Sequence, residues 1–157
     1  MFFTGELFQT IYIPPFELSH NITQIIQTKL YKTVVGTCSQ ENGLIIMVLD
    51  ILTIDGGKIS TTGHVVFKVN YKALLLKPIK SEIIDAPIVD VNAMGVFCEA
   101  GPLTIFVSSF HIKEKIWKNN ELKKNDKLRI KIIGTKIDSK RPYAIGTIQE
   151  EHLGKIA

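Results

Sequence analysis

Two phenylalanines, Phe97 and Phe106, lie in the stretch MGVFCEAGPLTIFVS (Met94 to Ser108) at a spacing that suits stacking on flat, π-rich ligands. The stretch reads as strand, Gly-Pro turn, strand, with apolar residues alternating on both arms. Val96, Cys98, Leu103, Ile105 and Val107 fall on one face; Phe97, Glu99, Thr104, Phe106 and Ser108 fall on the other. If Gly101-Pro102 is a two-residue turn, Phe97 stands across from Phe106, with Cβ atoms roughly 5 Å apart. Paired rings on the wet side of a hairpin need a cover. Stacked nucleobases are one, at about 1–3 kcal/mol per base. Burial against the rest of the chain or a partner is the competing account. Cys98, alternating with the outward positions, is expected in the core.

The second chemical feature is a basic stripe. The chain has 157 residues and net charge +4, but Lys113 to Arg141 alone holds 11 Lys/Arg against 4 Asp/Glu. Within it, Leu128, Ile130 and Ile132 alternate with Arg129 and Lys131, which would point outward, and Lys136, Lys140 and Arg141 extend the positive field. Rings edged by cations hold single-stranded RNA without reading its sequence. Such binding is salt-sensitive: neutralising two contacting lysines should flatten the log–log salt slope by about 1.4. A solvated lysine-rich surface would explain the stripe if it stood alone. Trp117 is expected to anchor the loop around it rather than to serve as a base platform.

Catalytic chemistry is not evident. Asp55-Gly56-Gly57-Lys58 faintly resembles the end of a phosphate loop, but Leu52 stands where the first glycine belongs and Ile59 where Ser or Thr must reach magnesium. His20, His64, His111 and His152 show no ligand spacing with Cys38 or Cys98, so no metal and no cofactor is expected. Glu150-Glu151-His152 reads as solvated tail residues. Two distant cysteines suit a reducing compartment, and the longest apolar run, Leu44 to Leu49, is strand-sized rather than membrane-spanning. Glu6 and the lack of a basic n-region argue against a secretory signal.

Several elements must position these groups. A strand is expected over Phe8 to Ile13, ended by Pro14-Pro15. A helix follows, with Asn21 and Gln24 as a capping box and Ile22, Ile25, Ile26 and Leu30 on one stripe. Then come a strand over Val34 to Ser39, a turn at Glu41-Asn42-Gly43, and a strand over Leu44 to Leu49. The Gly/Thr-rich run Ile54 to His64 reads as an exposed loop before a strand from Val65 to Leu76. This first half, residues 1–80, is an α+β unit with one helix on an antiparallel sheet. Residues 81–157 offer five short strands, at Ile83 to Val91, Val96 to Ala100, Leu103 to Val107, Leu128 to Ile133 and Ala144 to Ile148. Five strands with a basic, aromatic-bearing face suggest an OB-type barrel. Ile112 to Asn125 would be a loop or short helix.

This order of parts resembles the larger stalk subunit of RNA polymerases, the seventh subunit in the numbering of eukaryotic RNA polymerase II. The resemblance runs essentially end to end. It rests on Met1-Phe2-Phe3, GLIIMVLDI (Gly43 to Ile51), GHVVFKVNYKALLLKPIKSEIIDA (Gly63 to Ala86), the Phe97–Phe106 hairpin and AIGTIQEEHLGKI (Ala144 to Ile156). Two departures stand out: Ala86-Pro87 occupies a place where the barrel usually opens near a glycine, and Ile112 to Asn125 is shorter than in polymerase II relatives. The resemblance implies an α+β domain followed by a five-stranded S1-type OB barrel, in a non-catalytic, nuclear subunit acting in transcription initiation. It implies pairing with the smaller stalk subunit, docking of the first half on the polymerase core near the clamp, and contact of the barrel with nascent single-stranded RNA. The docking tip would be the loop carrying Gly56, Gly57, Lys58, Ile59 and Gly63. The open alternatives are the equivalent subunit of another nuclear or archaeal-type polymerase, and a free-standing S1-type RNA-binding factor.

Overall fold

The computed structural model describes residues 2–137 and 140–156. The chain divides into two compact units, Phe2–Thr37 with Leu44–Leu76, and Cys38–Gly43 with the residues from Lys77 onward.

In the first unit, strand β1 (Phe2–Ile13) leads through a 3-10 turn (Pro15–Glu17) into helix α1 (Ile22–Val34). Past the two-residue β2 (Cys38–Ser39), which falls in the other unit, come β3 (Gly43–Ile59) and β4 (Val65–Leu76), and the sheet order of this unit is β1-β4-β3, antiparallel along β1–β4 and β4–β3. Helix α1 buries Ile26, Leu30 and Val34, spaced four apart on one face, against Ile11, Ile13, Val69, Tyr71 and Ala73. Burial pushes the Tyr71 hydroxyl above its ordinary pKa.

Four sequence expectations need correction here. The Asn21 side chain makes no capping hydrogen bond, so the capping box does not form. The helix runs to Val34, which removes most of the expected strand from Val34 to Ser39. β1 begins at Phe2, not Phe8, because β4 is long enough to pair with all twelve of its residues. The loop expected over Ile54 to His64 is largely strand: Gly56, Lys58 and Ile59 pair with Phe67, Val66 and Val65, leaving only residues 60–64 as the turn. Gly56 and Gly57 have φ of +111° and +97°, and Gly57 is the unpaired residue of a bulge between paired Gly56 and Lys58, so these glycines bend a paired strand rather than release it.

The second unit holds β5 (Ile83–Asn92), β6 (Gly95–Ala100), β7 (Leu103–Ser108), a 3-10 turn (Ser109–His111), the short helix α2 (Glu114–Lys118), β8 (Lys127–Ile137), β9 (Pro142–Thr147) and β10 (Gly154–Ile156). The strands run in the order β8-β5-β6-β7-β9, and pairing of β8 with β9 closes them into a five-stranded barrel; β10 adds to β8. The interior is filled by alternate residues, among them Ile88, Val96, Cys98, Leu103, Ile105, Val107, Leu128, Ile130 and Ile132, all fully buried. Closure needs close approach at β9. A Cβ on Gly146 would meet Ile130 Cγ2 at 2.1 Å.

Pro87 fits β5 without loss. The Ile88 N–H donates to Asp126 O at 2.8 Å on the β8 side. The Pro87 nitrogen therefore faces the other way, one residue before pairing with β6 begins at Ile88, where a missing donor leaves no gap.

Candidate nucleic-acid interface

The β6–β7 hairpin is built by its turn. Ala100 pairs with Leu103 around Gly101-Pro102, and Gly101 at φ +62° supplies the positive φ that primed hairpin turns require. That register sets Phe97 opposite Phe106 on the outer wall. Their ring centroids are 4.8 Å apart with planes tilted by 40°, a favourable aromatic geometry. Each ring is half-buried, so one flank of the pair faces water. Cys98, one residue along, points into the barrel, and burial pushes its thiol up to about 12.

Following the register across the wall shows what lies beside the rings. Phe106 pairs with Ile145 on β9, and Thr104 pairs with Tyr143. Tyr143 in turn faces Lys136 on β8. Tyr143 and Ile145 are 40% and 44% exposed, so the outer face carries an aromatic and apolar strip across β6, β7 and β9 that ends at a lysine. Lys140 and Arg141, both exposed, directly precede β9. At the other end, Asp90 stands in register with Phe97, and Glu99 follows two residues on. The potential therefore runs from negative beside β5 to positive beside the β8–β9 hairpin, which favours a polyanion over the β7–β9–β8 side.

Arg129 and Lys131 are outward, as the alternation implies, but they do not join this strip. Arg129 lies five residues and Lys131 three residues before Gly134, the position level with Ile145, separations of about 16 and 10 Å at 3.3 Å per residue. Both are engaged by carboxylates. Arg129 Nε and Nη2 donate to Asp85 Oδ1 and Oδ2 at 2.9 and 3.2 Å, and Lys131 Nζ donates to Glu150 Oε2 at 2.9 Å. The hydrogen bond from Arg129 holds the Asp85 carboxyl below the usual range, and Asp85 raises Arg129 in return. Asp126 is likewise depressed, first by the Lys123 backbone N–H and then by Lys155, whose ion pair at 3.2 Å fastens β10 beside β8. These pairs fasten strands together. As pH falls through the depressed carboxyl values, that contribution to stability is lost; above the ordinary carboxylate range it is fully present.

Tyr143 and Ile145 are the site residues that motif reading missed. Part of the signal was available: Ile145 follows buried Ala144 on the strand expected over Ala144 to Ile148, but Tyr143 lies one residue before that expected start, and the strand in fact begins at Pro142. What sequence lacked was the parallel β7–β9 pairing that lays them beside Phe106 and Thr104.

The residues considered for docking gather at one end of the first unit. Ile59, Val65 and Ile13 end their three strands in one row, Gly63 (φ +84°) lies in the β3–β4 turn, and β1 continues into Pro14-Pro15-Phe16. Ile59 is 76% and Phe16 84% exposed. The turn that carries Phe16 is pinned, because Lys29 Nζ pairs with Glu17 at 2.6 Å and donates to Tyr12 O at 3.2 Å. Phe16 was not anticipated from sequence, since one aromatic after two prolines carries no motif.

Comparison with known proteins gives these geometries a context. Residues 9–63 match the family described as "SHS2 domain found in N terminus of Rpb7p/Rpc25p/MJ0397", and residues 77–148 match the S1 RNA binding domain family. The chain is 36% identical to DNA-directed RNA polymerase II subunit rpb7 of Dictyostelium discoideum, with 99% of each chain covered. It is 30% identical to DNA-directed RNA polymerase II subunit RPB7 of Saccharomyces cerevisiae, covering 99% of this chain and 100% of that one. Identity to DNA-directed RNA polymerase subunit Rpo7 of Saccharolobus shibatae is 21%, over 92% and 89% of the two chains. With its α+β unit, its closed barrel and this end-to-end likeness, the chain belongs to the family of the seventh subunit of RNA polymerase II, the larger subunit of the polymerase stalk.

Proposed function

We propose that the chain is a non-catalytic, nuclear subunit that pairs with the smaller stalk subunit, docks its first unit on the polymerase core near the clamp during initiation, and holds emerging single-stranded RNA on the outer wall of its barrel. The observation that carries the RNA reading is the outward Phe97–Phe106 pair at 4.8 Å, continued by Ile145 and Tyr143 and edged by Lys136, Lys140 and Arg141. Rings accept bases of any identity, and the lysines meet phosphates, so the expected binding is tolerant of sequence and weakened by salt. Arg129 and Lys131 serve mainly as strand clips in this reading, because their charge is already matched. The docking reading is supported by Ile59 and Phe16, two large apolar side chains exposed at one end of a sheet whose backbone is held. Gly56, Gly57, Lys58 and Gly63 shape that end rather than supply its apolar contact. A free-standing S1-type factor would have no need of the first unit in this form, and the matched relatives carry both halves.

The test is the RNA affinity of the purified stalk pair with Phe97 and Phe106 both changed to alanine. Loss of stacking on two rings predicts affinity at least tenfold weaker with folding intact. Unchanged affinity in a folded variant would end the proposal.

A further inference from the structure

Beyond the Phe97–Phe106 strip, one more aromatic side chain of the barrel unit is held out to water. Phe110 is 85% exposed and Met94 is 72% exposed, the two most open large apolar side chains of that unit among the described residues. The Ser109 N–H donates to Met94 O at 3.0 Å, joining the 3-10 turn to the residue that precedes β6. The turn is fixed from other sides too. Gln149 Nε2 donates to Phe110 O, while Ile148 N–H and Thr147 Oγ1 donate to His111 O at 3.0 and 3.3 Å. Ser108 Oγ accepts from Phe110 N–H at 3.4 Å. A tethered backbone thus presents an uncovered ring, which lowers the ordering entropy a ligand would otherwise meet.

Charge says which ligand suits it. Lys113 and Lys115 follow within five residues and form no ion pair among the described residues, whereas Glu114 is taken up by Lys118. Phe110 and Met94 alone would suit a protein interface, where aromatic residues and methionine are enriched; the two lysines would not, whereas single-stranded nucleic acid sites combine aromatic rings with cations. Phe110 follows the ring pair at the far end of the hairpin: Gly95 pairs with Ser108 two residues beyond Phe97 and Phe106, and the turn that carries Phe110 begins at the next residue.

We propose that Phe110 and Met94, with Lys113 and Lys115, form a second base-binding subsite, so that single-stranded RNA held on the barrel wall runs past the Phe97–Phe106 pair and stacks a further base on Phe110. The inference rests on the RNA reading of the wall, and the test separates the two. The full-length chain in its stalk pair is titrated with fluorescent oligouridylates of four and of twelve nucleotides. Phe110→Ala should weaken the twelve-mer about fivefold or more and leave the four-mer unchanged, whereas Phe97→Ala with Phe106→Ala should weaken both. Lys113→Gln with Lys115→Gln should flatten the salt slope of the twelve-mer by about 1.4. If Phe110→Ala leaves the twelve-mer unchanged while the ring-pair variant weakens it, the subsite is overturned and the wall reading stands. If neither variant matters, both fall. If Phe110→Ala lowers retention of the stalk on polymerase core and spares RNA, the ring is a protein contact and the subsite is overturned.

Discussion

Cys98 shows how a residue one place from a functional ring can belong wholly to the core. It sits between outward Phe97 and Glu99, fully buried, and burial raises its thiol from 9.0 to about 12. A thiol so raised is protonated in the fold when the unfolded chain would already ionise. Its contribution to stability is therefore intact below about pH 9 and is lost as pH climbs toward 12. In a Cys38→Ser background, the remaining thiol should react with a disulfide reagent at pH 8 only as fast as the protein unfolds. Reaction at the rate of a free thiol under native conditions would contradict the burial. The same alternation that hides Cys98 exposes Phe97, so both placements were legible from MGVFCEAGPLTIFVS alone. Arg129 and Lys131 were legible as outward but not as neutralised, because their partners Asp85 and Glu150 are 44 and 19 residues away in sequence.

At the scale of elements, β4, β5, β6 and β7 follow their sequence patterns closely, β8 and β9 extend beyond theirs to Ile137 and back to Pro142, and the β3–β4 hairpin departs most. Gly56 and Gly57 look like loop residues by type, yet β4 supplies partners for the strand around them and the glycines become part of a bulge. Long-range pairing overrode local propensity there. The consequence is practical. Removing residues 56–62 would take out paired strand as well as turn, so a lost interaction could reflect lost folding. Ile59→Ser and Phe16→Ser alter only exposed side chains and should leave the melting temperature within a few degrees. If this end of the sheet is the docking tip, the double variant should reduce retention of the stalk on polymerase core severalfold in co-purification. Undiminished retention would assign docking to another surface.

For the whole molecule, composition and charge narrow the function without naming it. Net charge +4 is modest, and it becomes informative only when the fold shows where it gathers. On the barrel, Asp90 and Glu99 lie at one end of the ring strip and Lys136, Lys140 and Arg141 at the other. That separation was not readable from the run of lysines between Lys113 and Arg141, because the strand order β5-β6-β7-β9-β8 rearranges the sequence around the wall. The central claim is that this particular stretch of wall holds RNA. Its most direct measurement is photocrosslinking of a single-stranded hexanucleotide to the full-length chain carrying a photoreactive side chain at position 143 or at position 127. Lys127 is exposed on β8 as well, but nine residues from Lys136, the residue that faces Tyr143, or about 30 Å along the strand. Crosslinking at 143 well above that at 127, and suppressed by salt, is the outcome expected if RNA lies across the rings. Equal yields, or a higher yield at 127, would contradict it.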